Sequence, residues 1–409
     1  MSRVVITGMG VVTPVGRTVR DFFDALVAAR SGVRPVPATL DPDGHRLVAA
    51  TVDFDPSVHW PPHQASRLDR GTQLALLAAR DATADANLAL TEEESERAGV
   101  YWGTGFGGAT SIEESYRKLF AMDGRVRPTA VVLGMSNAAA GQVSIDRGLR
   151  GPVLNVATAC SSSASAIGEA FRAIRAGNAE VVVAGGSEAL VTLGNLRAWD
   201  AMQALAHADP YDPSRSCKPF SSNRTGIVLG EGAAAIVLER ESRARRRGAT
   251  IHAELIGYGN TADACGMSQP DPDGQARAMR AAMHDARIDA GDVDYLNAHG
   301  TGTLVGDEAE TIAIRRAFGS DAQRIAISST KALHGHLMGA TGVAELVASI
   351  CAMRSGVLPP TAHLECTDPA CDLDYVPNVA RDAAIDVVMS SSFGFGGMNA
   401  VLVARRYHG

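Results

Sequence analysis

Cys160 is the residue of this sequence best placed to act as a nucleophile. It lies in Thr158-Ala-Cys-Ser-Ser-Ser163, after the apolar run Val153 to Val156 and before a helical pattern in which Ala164, Ile167, Phe171 and Ile174 share one face. Gly151-Pro152 bounds the run, which reads as a short buried strand, and Gly177 sits where a glycine would stop the helix. A cysteine at such a strand-to-helix turn meets unpaired N–H groups and the positive end of the helix dipole. Both favour thiolate over thiol, so its pKa is expected to fall below the value of about 8.5 for a free cysteine. A buried structural cysteine among small residues is the competing reading.

Two histidines and a lysine further along carry matching chemistry. His299 lies in Asn297-Ala-His-Gly-Thr-Gly-Thr303, and His336 lies in Ser328-Ser-Thr-Lys-Ala-Leu-His-Gly-His-Leu-Met-Gly339, five residues after Lys331. Each histidine directly follows a strand-like segment, and strand C-termini are where ligands bind in parallel α/β sheets. A single histidine is more often a hydrogen-bonded structural group; two beside strand ends, with a lysine near, favour function. Asp307 and Glu310 stand three apart on a helical pattern and share a face. They read as a charged first turn, or as Glu310 paired with Lys331. The turn Gly394-Phe395-Gly396-Gly397 can bring a backbone N–H close to a substrate and, with the N–H of Cys160, form an oxyanion hole. A plain glycine turn is the alternative. Gly103-Thr-Gly-Phe-Gly-Gly108 is a poor match to a dinucleotide loop, and neither a P-loop lysine motif nor HExxH occurs.

The elements that must position these residues recur in order. Val4–Gly10 echoes Ala253–Gly259, Val100–Gly108 echoes Tyr295–Thr303, Val153–Cys160 echoes Ile325–Lys331, and Val181–Gly186 echoes Val387–Gly397. Such ordered self-similarity indicates an internally duplicated α/β fold. Alternating strand and helix patterns predict largely parallel sheets covered by helices. The halves are expected to be 1–248 and 249–409, meeting near Arg243-Ala-Arg-Arg-Arg-Gly248, a basic run that reads as the solvated end of a helix. If a pseudo-twofold relates them, strand ends from both converge and Cys160, His299, Lys331 and His336 share a pocket. Residues 203–226 read as a long excursion.

Composition narrows the function class. The 409 residues are 46% apolar, enough for a large core, and the net charge of −7 argues against nucleic-acid binding. The six scattered cysteines show neither paired metal spacing nor a disulfide framework, so a reducing, cytoplasmic setting is expected. The N-terminal apolar run is too short for a signal peptide, and charges such as Glu345 within 337–353 interrupt the long apolar stretches, so no membrane span is expected.

With these motifs in hand, the sequence resembles the β-ketoacyl-acyl carrier protein synthases of the thiolase fold, most closely the stand-alone elongating enzymes of type II fatty-acid and polyketide synthesis. The resemblance runs from Val4-Val-Ile-Thr-Gly-Met-Gly to Asn399-Ala and rests on four motifs in the family's order: Thr158-Ala-Cys-Ser-Ser, His299-Gly-Thr-Gly-Thr303, Ser329-Thr-Lys331 with Gly335-His336, and Phe393-Gly-Phe-Gly-Gly397. It implies a thiolase-like, layered α-β-α-β-α fold and a Cys-His-His centre. Cys160 would carry the acyl group, while His299 and His336 would donate to the oxygen of a decarboxylating malonyl thioester. Lys331 and Glu310, with Asp307, would be supporting groups; Thr301 and Thr303 would contact the phosphopantetheine arm, and Phe395 would gate the acyl pocket. Substrates travel on acyl carrier protein or coenzyme A, so no resident cofactor or metal is implied. Phe106 and Met398 correspond to acyl-pocket positions, and the phenyl ring of Phe106 would favour short primers. An acidic carrier would dock on a local basic patch, for which Arg67, Arg70, Arg117, Lys118, Arg125 and Arg127 are the candidates. Ala208 stands where relatives can carry an arginine. The family also implies a homodimer, with residues near 130–140 closing the partner's pocket, or a heterodimer with a related subunit.

Departures bear on substrate. Ser161-Ser-Ser163 and the form of 299–303 look more like modular polyketide synthases, Met398 stands where fatty-acid enzymes often have threonine, and Thr225 stands where aspartate is expected. A degradative thiolase would need a second cysteine near the C-terminal glycine loop, and 387–400 contains none. A non-elongating chain-length partner usually lacks the cysteine, and a Cys-His hydrolase leaves Lys331 unexplained.

Overall fold

The computed structural model describes residues 2–409. Its main sheet has ten strands: β1 (Val4–Val12), β2 (Ala98–Gly103), β3 (Val153–Val156), β4 (Val181–Glu188), β5 (Gly232–Arg240), β6 (Ala253–Ala262), β7 (Tyr295–Asn297), β8 (Ala326–Ser328), β9 (Val387–Gly394) and β10 (Met398–Arg405). Read outward from the centre, the order is β1-β5-β4-β2-β3 on one side and β6-β10-β9-β7-β8 on the other. The two leaves therefore have the same topology, and they join through a three-residue antiparallel seam that pairs Val4 with Leu255 and Ile6 with Ala253. Residues 248 and 249 fall in the link between β5 and β6.

The expected parallel sheet is in fact mixed. In each leaf the outer three strands are parallel, while β1, β5 and β4, like β6, β10 and β9, alternate in direction. The reason in the second leaf is local: Phe395-Gly-Gly397 turns β9 straight back into β10, and a hairpin can only be antiparallel.

Close backbone approach repeats the duplication in atomic detail. A β-carbon on Gly10 would come 2.2 Å from the carbonyl oxygen of Ala78 on α1 (Arg70–Asp85). One on Gly259 would come 2.0 Å from that of Ala278 on α2 (Pro272–Ala286). These helices cover the outer faces of the two leaves. Between the leaves lie two buried helices, α3 (Ser162–Ala176) and α4 (Thr341–Ser355), which meet where Gly342 faces Ala164. The layering is therefore α-β-α-β-α, and the largest apolar cluster fills its middle.

Two local expectations fail. The run Val153–Val156 is not buried: β3 is the outermost strand of its leaf, with Val153 39% and Leu154 48% exposed. An apolar run signals burial but not position in the sheet. Nor is the 243–248 basic run simply solvated. Arg243 is 4% exposed, and it shares the buried carboxylate of Glu239 with Arg247.

Candidate active site

Cys160 lies in a short 3-10 turn, Ala159–Ser161, immediately before α3. Ala159 has φ +52°, a left-handed conformation that a residue with a β-carbon holds only when its surroundings enforce it. Packing enforces it here: a β-carbon on Gly394 would lie 2.6 Å from the carbonyl oxygen of Thr158, and one on Gly103 would lie 2.3 Å from the N–H nitrogen of Ser163. Cys160 is 4% exposed, and burial pushes its thiol up to about 11. The positive charge of Lys331 and the N–H groups of Phe395 and Cys160 pull it back only partly. The lowered pKa expected from the helix start is thus outweighed by desolvation. Those two N–H groups lie beside the sulfur, where donors can reach the oxygen of a carbonyl bonded to it.

His299 follows β7 and His336 follows β8. Their rings stand edge to face with centroids 5.4 Å apart, and His299 also meets Phe393 edge-on at 5.8 Å. One ligating atom each from Cys160, His299 and His336 lies within 4.8 Å of the others. The tautomer of His336 follows from its neighbours. Its Nδ1 accepts the N–H of Met338 at 3.3 Å and lies 2.9 Å from the Thr341 hydroxyl, so the proton sits on Nε2, which is buried without a protein partner. A metal-bound histidine instead donates its second nitrogen outward to an acceptor; this one presents an N–H to the cavity. Both imidazoles titrate well below the ordinary range, first because they are buried and then because Lys331 lies close. They are neutral donors at physiological pH.

The supporting carboxylates are arranged differently from expectation. Glu310 does not pair with Lys331: its two oxygens accept the N–H groups of His299 and Gly300, each at 2.7 Å, and so fix the His299 loop. Lys331, fully buried behind the cavity, pairs with Glu345 of α4 at 2.5 Å. Burial pushes the Glu345 carboxyl up against the pull of that ammonium. Asp307 accepts from Phe220 at 2.7 Å and Gly302 at 3.1 Å, joining the 203–226 excursion to the same loop, while Arg224 braces it from carbonyls of Thr303 and Leu304. Thr301 and Thr303 face each other at 3.0 Å, and Thr303 caps the helix Leu304–Phe318.

A cavity of about 410 Å³ is lined by Cys160, His299, His336, Thr301, Thr303 and Phe395, among others. Phe395 stacks on Trp199 at 5.6 Å. Phe106 and Met398 do not line it; they are 49% and 41% exposed. Of the arginines, Arg70 is tied to Glu231 and to the Val52 carbonyl, so it presents no free charge, and Arg127 pairs with Glu114. Arg67 and Arg125 are exposed. Sequence reasoning missed Thr341 and Trp199, for which no local signal exists, gave no role to Phe393 although its motif was recognised, and missed the partner of Lys331, for which a signal did exist: Glu345 is a lone carboxylate in an apolar helix.

A family model for the beta-ketoacyl synthase N-terminal domain matches residues 1–244, and that for the C-terminal domain matches residues 252–365. The chain is 42% identical over 409 residues to 3-oxoacyl-[acyl-carrier-protein] synthase 2 of Staphylococcus aureus (strain COL), an alignment covering 99% of this chain and 98% of that protein. Among solved structures it superposes on a beta-ketoacyl synthase from Burkholderia phymatum STM815 with a TM-score of 0.91 and 37% identity, covering 100% of both chains. It matches equally well, at 0.91 with 30% identity and 99% of both chains, a type II polyketide ketosynthase in complex with its acyl carrier protein and bound to the hexaketide. With the two family models together matching most of the chain and a relative 42% identical across 99% of it, the chain belongs to the beta-ketoacyl synthase family.

Proposed function

We propose that this protein is an elongating β-ketoacyl-acyl carrier protein synthase. The observation that carries the reading is the convergence of the Cys160 sulfur with two neutral imidazoles at one cavity wall, within 4.8 Å of one another. In the first half-reaction the sulfur attacks the carbonyl of an acyl thioester. The oxyanion is held by the N–H groups of Cys160 and Phe395, and the departing pantetheine thiolate takes the thiol proton. In the second, a malonyl thioester bound along Thr301 and Thr303 loses CO2. The electron pair left behind forms an enolate whose oxygen is held by the Nε2–H of His336 and by His299. Its carbon attacks acyl-Cys160, the C–S bond breaks, and the product is a β-ketoacyl thioester two carbons longer. Neutral donors suit this step, because they meet charge only as it develops. The chemistry proceeds with groups of the chain and the substrate's own pantetheine arm, so the reading calls for no resident cofactor or metal.

The partner in this reading is acyl carrier protein, supported by the carrier complex of the polyketide relative. Of the candidate cations, Arg67, Arg117 and Arg125 are exposed and remain for its acidic surface. A homodimer is supported by the exposed apolar side chains of Tyr116, Phe120, Val131 and Val132 and by the open edge of β3. Phe106 and Met398 become acyl-pocket residues once a second copy covers that face; a related ketosynthase-like subunit would do the same. Among the described residues no helix is long and apolar enough to cross a membrane. All six cysteines are free, which supports a reducing compartment, read here as the cytoplasm.

The test is mass spectrometry of the protein with C4 and C12 acyl donors, wild type against Cys160→Ala, coupled to CO2 release from malonyl carrier protein. An acyl adduct lost in the variant, with faster turnover of C4, is expected. Absence of any adduct on Cys160 would falsify covalent acyl transfer.

A further inference from the structure

Glu188 is a buried carboxylate that no step above uses. It ends β4, is 0% exposed, and accepts four hydrogen bonds from two separate loops. From the loop after β2, the Thr104 hydroxyl donates at 3.1 Å, the Gly105 N–H at 2.6 Å and the Phe106 N–H at 3.2 Å; from the turn after His336, the Gly339 N–H donates at 3.1 Å. The fit is close. A β-carbon on Gly339 would come 2.8 Å from the carboxylate and 2.6 Å from the Gly105 nitrogen. Burial pushes the Glu188 carboxyl up to about 7 although three N–H groups and a hydroxyl pull it down. A buried carboxylate is costly to keep, and this one is satisfied entirely by donors that hold two loops in register.

What the second loop does gives the arrangement a purpose. Met338, directly before Gly339, has φ +48°, and its N–H donates to Nδ1 of His336. That bond helps keep the His336 proton on Nε2, facing the cavity. A left-handed methionine persists only when its neighbours hold it, and Glu188 holds the next residue. The first loop is itself joined to the nucleophile's helix, since the Ser162 hydroxyl lies 3.3 Å from the Thr104 carbonyl.

We propose that Glu188 is a positioning residue for the condensation: gripping Gly339, it fixes the turn that orients and tautomerises His336, and gripping residues 104–106, it holds that turn against the loop bonded to the Cys160 helix. It acts through His336 and touches no substrate. The inference rests on the condensation reading, and its test separates the two half-reactions. In Glu188→Gln the amide NH2 replaces an oxygen that serves two donors, either Thr104 and Phe106 or Gly105 and Gly339, so one side of the grip opens and the turn relaxes. Displacing a catalytic group by about 1 Å costs about 100-fold. CO2 release from malonyl carrier protein is therefore expected to fall about 100-fold at saturating substrate, with KM little changed, while acylation of Cys160, whose thiol loses a nearby negative charge, is not slowed.

A merely structural role would slow both half-reactions in the same proportion. That outcome, or wild-type CO2 release, overturns the proposal. Thr104→Val removes one donor and leaves the carboxylate in place, so it is expected to show the same imbalance in weaker form. If Glu188→Gln does not fold, a wild-type ratio of the two rates in Thr104→Val overturns it. A wild-type protein that neither acylates at Cys160 nor releases CO2 counts against the condensation reading itself and not against Glu188.

Discussion

The pairing of Lys331 with Glu345 can be measured directly, and the structure fixes what should be found. Both side chains are fully buried and the ions are 2.5 Å apart. At an effective dielectric constant of about 20 the Coulomb attraction at that distance is about 7 kcal/mol. Desolvating two ions costs several kcal/mol each, so the pair as a whole is close to neutral for stability. Removing one partner is different, because the other charge stays buried alone. Glu345→Gln is expected to cost about 3–5 kcal/mol. Glu310→Gln strips no counter-ion from Lys331. The glutamine oxygen keeps one of the two N–H bonds and its NH2 opposes the other, a loss of about 1–3 kcal/mol. Urea unfolding of Glu345→Gln, Glu345→Leu, Glu310→Gln, Lys331→Met and the double variant Lys331→Met/Glu345→Leu gives the ranking and, from the last two with Glu345→Leu, a double-mutant cycle. The double variant should recover most of the loss of either single change. It should also move activity: without the Lys331 charge both imidazoles protonate more easily, so the acid limb of malonyl decarboxylation shifts to higher pH. In the wild type that limb lies well below pH 6.5, since a lowered histidine pKa keeps the donor form down to lower pH. A Glu310→Gln loss as large as that of Glu345→Gln, or a Lys331–Glu345 coupling below about 1 kcal/mol, would refute the reasoning.

Two further outcomes are expected. Because burial holds the Cys160 thiol up at about 11, its alkylation by iodoacetamide should accelerate about tenfold per pH unit from pH 7 to 9 without levelling; a plateau by pH 8 would mean that the helix start outweighs burial. Phe120→Asp with Val131→Asp, at side chains 79% and 73% exposed, should convert a dimer to a monomer in size-exclusion light scattering, and an unchanged mass would remove that face from the interface.

The features legible in the sequence were those set by local pattern. The turn carrying Cys160, the Gly177 stop and the loops of His299 and His336 all lie where periodicity and glycine placement put them. Four strand echoes were visible; the fifth, β5 with β10, was not, because Gly232-Ala-Ala-Ala-Ile-Val-Leu and Met398-Asn-Ala-Val-Leu-Val share little beyond an apolar run. What failed was set at long range. The i,i+3 spacing of Asp307 and Glu310 correctly gave a shared face, but it could not say that the face is buried or that both carboxylates serve backbone N–H groups. The ion pair of Lys331 is made across 14 residues by a carboxylate whose only sequence signal was its isolation in an apolar helix. Since a buried charge requires a partner, Glu345 was the residue to ask about. The Cys160 thiol failed for the same reason: the dipole is read locally, while desolvation depends on everything packed around the turn.

The duplication explains why the chemistry is divided as it is. β3 and β8 are equivalent strands, and so are β2 and β7. Their C-terminal ends face each other across the central helices, so every catalytic position exists twice in the backbone. After β3 the chain places Cys160; after β8 it places Lys331 and His336. After β7 the loop carries His299 and is gripped by Glu310; after β2 the corresponding loop carries Phe106 and is gripped by Glu188. A buried carboxylate on two backbone N–H groups is thus the shared device of both leaves. In the second leaf it holds a loop that bears an imidazole, and in the first a loop that is bonded both to the nucleophile's helix and to the His336 turn. A sulfur and its hydrogen-bond donors must sit a few ångströms apart yet be held independently. Supplying them from equivalent ends of two leaves meets both demands, because each leaf fixes its own residue while the carboxylate at 188 locks the leaves together at the point of reaction.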